Sequence, residues 1–132
     1  MPARRNPKNW CSVCGKHIKN SGSGLCWDHW HEKVTMEYGQ QTRLSELAHT
    51  YSRHRYQSAR EHAHRVAKWN MGPKVCAICG YDTYVELCHK KAISKFKVEA
   101  FLCEVNAMDN LVWLCPNHHK EWEMGLLHAS LA

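Results

Sequence analysis

Cysteine and histidine dominate the chemistry available to this chain. Of its 132 residues, 8 are Cys and 11 are His. Two Cys-x-x-Cys pairs each run into glycine, as Cys11-Ser12-Val13-Cys14-Gly15 and Cys76-Ala77-Ile78-Cys79-Gly80. Each has a Cys-x-x-His partner downstream, Cys26-Trp27-Asp28-His29 and Cys115-Pro116-Asn117-His118. Three thiolates and one imidazole fill a tetrahedral Zn²⁺ shell and leave no position for water, so both sets read as structural zinc sites. Read as redox pairs, the Cys-x-x-Cys units would leave their Cys-x-x-His partners unexplained. The halves of the first site are separated by 11 residues and those of the second by 35, far more than a simple finger needs.

The long gap must therefore contain structure. Tyr84 to Ile93 starts as a strand by composition and carries His89 near its end. Asp109 to Pro116 reads as a second strand running into Cys115. Asn117 is expected to cap a helix over His118 to Gly125, with glycine at its end. Adjacent helix residues point about 100° apart, so His118 closes the zinc shell while His119 faces elsewhere. A helix side chain facing a strand that bears His89 makes a second, open metal site. Cys103 has no spacing partner and is expected as a buried thiol.

Upstream, residues 1–38 form an N-terminal zinc module of net charge +3. Trp10, Trp27 and Trp30 are expected to be its small apolar core, and Asn20 to Gly24 its connecting turn. Residues 39–71 read as one basic linker helix of net charge +4. Leu44, Leu47, Tyr51, Ala59, Ala63 and Val66 share one face of it, and Gly72-Pro73 stops it. His49, His54, His62 and His64 fall on the polar side without metal-binding spacing. Residues 72–132 carry a net −1, so the first two segments hold the whole excess of the chain's +6. Charge concentrated this way predicts that the front half holds a polyanion such as the DNA backbone. No apolar run approaches membrane-spanning length. The first ten residues are polar and basic, unlike a secretory signal, and cysteines at metal-ligand spacing suit a reducing compartment. The expectation is a cytoplasmic protein with no membrane partner.

The segment from Cys76 to Gly125 resembles the HNH endonucleases, in particular the zinc-stapled kind common in phage and mobile elements. The resemblance is carried by Cys76-Ala-Ile-Cys79-Gly80, Val85-Glu-Leu-Cys-His-Lys90, Asp109-Asn-Leu-Val-Trp-Leu-Cys-Pro-Asn-His-His119 and Gly125-Leu-Leu127. It implies a small zinc-stabilised α+β fold, with a ββα-metal core over residues 72–132 preceded by the long helix and the N-terminal zinc module. By that resemblance the chain is a divalent-metal-dependent DNA endonuclease. His89 is the general base, Asn110 pins the loop carrying it, and His119 ligates the catalytic cation. The family's usual second ligand, Asp or His, falls at Cys88. Thiolate suits Mg²⁺ badly, which opens the choice among Mg²⁺, Mn²⁺, Ni²⁺ and Zn²⁺. The N-terminal segment is more loosely similar to small zinc modules found near mobile-element proteins. A phage-encoded chain of this kind would act in the cytoplasm of its bacterial host. As a homodimer it would cut both strands, and as a monomer it would nick. The rival reading is a non-catalytic double-zinc DNA-binding regulator or a packaging accessory protein.

Overall fold

The computed structural model describes residues 9–19, 22–47 and 52–127. The first eight residues, Asn20 and Ser21 of the expected turn, and His49 and Tyr51 of the expected helix lie outside the described residues. Helix α1 spans Trp27–Gln41 and α2 spans Ser52–Asn70. Strands β1 (Glu86–His89) and β2 (Leu111–Leu114) pair antiparallel, with Glu86 opposite Leu114 and His89 opposite Leu111. The short helix α3 (Leu102–Val105) lies between the strands, and α4 (Pro116–Glu123) follows β2 directly. The result is a small α+β fold with a two-stranded sheet, as the sequence predicts.

The single helix expected over 39–71 is not formed. The chain leaves α1 at Thr42 and makes a short 3₁₀ turn over Leu44–Glu46. The cause is tertiary pairing. Leu44 N donates to Ala100 O (3.0 Å), Ser45 N to Val98 O (2.8 Å) and Leu102 N to Thr42 O (2.9 Å). Backbone bonds to a distant segment replace the helical ones, which overrides helix propensity. Leu44 and Leu47 are still buried, now through that turn.

Alternation along β1 sends its side chains to two layers. Leu87 packs with Ala63, Val66 and Leu111 against α2. Cys88 packs with Val112, Leu114 and Trp122 on the α4 side, beside Cys76 and Cys115. A third cluster joins Leu44, Leu47 and Ala59 to Ile93, Leu102 and Val105. The apolar stripe of α2 read from the sequence (Ala59, Ala63 and Val66) is buried, packed with Leu44 and Leu47 from upstream and with Leu102, Val105 and Leu111 from downstream.

Four expected environments are different, the first being His62, expected on the polar side of its helix but buried where its ring meets Thr35 O of α1. Trp27 is 74% and Trp30 40% exposed, so neither is core. They cluster with His31 on the surface of α1, because the module folds around its ligands and buries Cys11 and Cys26 instead. Cys103 is exposed, because Leu102 and Val105 take the inward side of the one-turn α3. Asn117 does not cap α4. Cys115 is the N-cap, Pro116 takes the first turn, and Cys115 Sγ accepts from His118 N (3.5 Å).

Candidate active site and zinc sites

Both zinc sites are built from the same turn. Cys11 N donates to Lys16 O (2.8 Å) and Gly15 N to Cys11 O (2.9 Å); Cys76 N donates to Tyr81 O (2.8 Å) and Gly80 N to Cys76 O (2.9 Å). Gly15 and Gly80 sit at φ 72° and 75°, the left-handed region that glycine enters without strain. In the first site, Cys11 Sγ and Cys26 Sγ lie 3.4 and 3.1 Å from His29 Nδ1, and Cys14 Sγ lies 3.9 Å from Cys26 Sγ. In the second, Cys76 Sγ and Cys115 Sγ lie 3.4 and 3.2 Å from His118 Nδ1, and Cys79 Sγ lies 4.0 Å from Cys115 Sγ. Each set of four ligand atoms lies within a 4.8 Å span. A zinc tetrahedron with Zn–S near 2.3 Å and Zn–N near 2.0 Å has edges of roughly 3.5–3.8 Å, so both sets fit the ion. Burial pushes the Cys11 thiol up, but the backbone amides of Cys14, Cys26 and Val13 outweigh it and hold it down to about 5. The amides of Cys115, Cys79 and Ile78 outweigh burial in the same way at Cys76 and hold it down to about 6. Both cysteines are thereby prepared as thiolates.

His89 and His119 belong to neither zinc set. Both line one cleft of about 440 Å³, together with Tyr56, Arg60, Lys90, Lys95 and Glu123. His89 sits at the end of β1. Its Nε2 lies 2.7 Å from Asn106 Oδ1. Burial lowers the His89 pKa, and the charge of Arg60 adds to this, while the bond to Asn106 opposes it. Asn110, the residue just before β2, holds the chain just after His89. Its carbonyl accepts from Lys90 N (2.8 Å), and its Oδ1 accepts from Lys91 N (2.8 Å). Its Nδ2 donates to Lys91 O (3.2 Å) and Val105 O (2.8 Å).

On α4, His119 Nδ1–H donates to Glu86 Oε2 (2.7 Å), and its Nε2 stands 3.3 Å from Glu123 Oε1. With Nδ1 carrying the hydrogen, neutral His119 turns its Nε2 lone pair toward a carboxylate. A second ring proton or a cation between the two atoms satisfies that pair. An N and an O about 2.1 Å from one ion as adjacent ligands would stand about 3.0–3.4 Å apart, so His119 and Glu123 fit a divalent cation. The sequence reading missed both carboxylates. Glu123 was legible as the residue four after His119 on one helix face; Glu86 lies two residues before Cys88 on the same strand face. Cys88 is also on the cleft wall, but it is buried, and its Sγ reaches only its neighbour's carbonyl, His89 O, at 3.6 Å. Burial first, then the charges of Glu123 and Glu86, push its thiol up to about 11.

Residues 76–128 match the family model described as HNH endonuclease. The chain carries an HNH domain over that span. No curated protein and no solved structure matches the chain. An HNH endonuclease domain implies a nuclease acting on DNA with a divalent metal, and in this chain the zinc-binding module at the N-terminus stands outside the matched span. No helix among the described residues is long and apolar enough to cross a membrane.

Proposed function

We propose that this chain is a metal-dependent DNA endonuclease in which His89 takes the proton from the attacking water. One observation carries the reading. His89 lines the same cleft as His119 and Glu123, while the two Cys₃His sets close without any of them. A phosphodiester repels hydroxide, so hydrolysis needs a base for water and positive charge at the phosphate. Burial keeps His89 neutral at pH values where an ordinary imidazole begins to protonate, so it is available as the base. Arg60, Lys90 and Lys95 on the cleft wall attract the phosphate and oppose its charge. Asn110 fixes the turn after His89 and with it the ring's approach. His119 Nε2 and Glu123 would hold the divalent cation, Glu86 fixes the His119 ring, and burial keeps Cys88 a neutral thiol. A cation bound there would supply Lewis acidity to the phosphate and ease departure of the 3′ oxygen. The water oxygen forms the new bond to phosphorus as the bond to the 3′ oxygen breaks, leaving 5′-phosphate and 3′-hydroxyl ends. The water's proton goes to His89, and the departing 3′ oxygen takes a proton from a solvent water.

The test is plasmid cleavage across Mg²⁺, Mn²⁺, Ni²⁺ and Zn²⁺, wild type against His89→Ala, with zinc per chain measured alongside. The expected result is two zincs in both proteins and a loss of about 10²–10⁴-fold in the variant. Equal cleavage by the variant removes His89 as base. DNA binding without cleavage in every metal leaves a zinc-stapled DNA-binding protein.

A further inference from the structure

A chain of buried polar groups runs from His89 out of the HNH domain. His62 on α2 is 1% exposed and Asn106, the C-cap of α3, is 2% exposed. His62 Nε2 lies 3.0 Å from Thr35 O on α1. A carbonyl only accepts, so Nε2 carries the hydrogen. Burial holds this ring neutral, which leaves Nδ1 as an acceptor. Asn106 Nδ2 fills that role at 2.8 Å and also donates to Ala59 O at 3.0 Å. Both amide hydrogens are then used. A flipped amide would press its oxygen against two acceptors, so the amide has one orientation. Its Oδ1 faces His89 Nε2 at 2.7 Å, and that nitrogen must therefore be the donor.

We infer that Thr35, His62 and Asn106 form a positioning relay that holds the His89 hydrogen on Nε2 and reserves Nδ1 to accept the proton of water. Two backbone carbonyls, Thr35 O and Ala59 O, set every direction in it. The site is built around the ring. Gly39, one turn after Thr35 on α1, is buried, and a Cβ there would stand 3.0 Å from His62 Cε1 and 3.1 Å from its Nε2. Thr35, Gly39, Ala59 and His62 all precede residue 76, where the family match begins. The α1–α2 pair is thus part of the catalytic apparatus and more than a charged support. The inference rests on the nuclease reading.

Two measurements on the zinc-loaded full chain test it. The first is the imidazole nitrogen NMR spectrum of His89 near neutral pH. A single Nε2–H tautomer with a slowly exchanging ring proton is expected in wild type. A tautomer mixture, or the Nδ1–H form, overturns the relay without need of any variant. The second compares His62→Leu, His62→Asn and Asn106→Leu in DNA cleavage. His62→Leu and Asn106→Leu should lower kcat about 10–100-fold with KM nearly unchanged, and the His89 ring proton should exchange fast. His62→Asn keeps an acceptor for Asn106 Nδ2 and should recover most of kcat. Folded variants with wild-type kcat and an unchanged His89 spectrum overturn the relay and leave the nuclease reading standing. A wild type that cleaves nothing overturns the nuclease reading and the relay's catalytic role with it.

Discussion

The two zinc sites share one turn and differ in what they hold together. Each begins on a Cys-x-x-Cys knuckle with a left-handed glycine, and each ends on a Cys-x-x-His that starts a helix, α1 from Cys26 and α4 from Cys115. Position for position, the residue after the zinc histidine is Trp30 in the first and His119 in the second. Five residues after that histidine stands Val34 in the first and Glu123 in the second. The first therefore sets only the start of a helix. The second ties the two ends of a segment containing β1, α3 and β2, and its helix sets His119 and Glu123 beside Glu86 of the strand. The same ligand chemistry orients a helix in one place and, on the proposed function, builds a catalytic cleft in the other, according to what the following helix presents.

Breaking each site in turn should expose that difference. Cys76→Ala should remove one zinc, unravel the β1–β2 end and abolish cleavage, since structural zinc binding is worth on the order of 10 kcal/mol of folding. Cys11→Ala should also remove one zinc yet leave a folded HNH domain with part of its activity, because α1 remains packed on α2 and α3. Zinc stoichiometry, circular dichroism and cleavage decide this; equal damage from both substitutions would mean that the two sites are energetically equivalent. A finer contrast concerns the histidine directly after the zinc ligand, His119, where the first helix has Trp30. Glu86→Gln leaves His119 and Glu123 in place but removes the carboxylate charge behind the ring. It should weaken cation affinity about 10–100-fold, read as a shift in the metal concentration for half-maximal cleavage. An unmoved metal curve would take Glu86 out of the site.

The smallest effect expected is on the pH dependence of stability. His62 is lowered from its ordinary 6.5 by burial. As pH falls through 6.5, the unfolded chain binds a proton there that the folded chain does not, so stability drops with acid. Melting temperature followed from about pH 8 down to about pH 5 should fall more steeply in wild type than in His62→Leu. Parallel curves would show that His62 does not contribute to this slope.

What the sequence made legible was local. Both Cys₃His sets follow from ligand spacing, and β1, β2 and α4 follow from short composition patterns bounded by those ligands. The buried stripe of α2 was readable from helical period. The break at Thr42 was not, because Leu44 and Leu47 satisfy that period while the backbone of Leu44 and Ser45 pairs with Ala100 and Val98. Nor was the pairing of Asn106 with His62, 44 residues apart, since nothing in either neighbourhood marks a buried polar contact. Trp27 and Trp30 misled for the opposite reason: large aromatics suggest a core where metal ligands had already replaced one.

The apolar face of α2 sets how this HNH domain could be recombined. Leu87, Leu111, Leu102 and Val105 all lean on residues that precede position 72. A graft of residues 76–127 alone onto another protein would carry the metal staple intact but leave those side chains wet. The portable cassette begins upstream of the matched span, and a chimera that keeps activity must take α2 along.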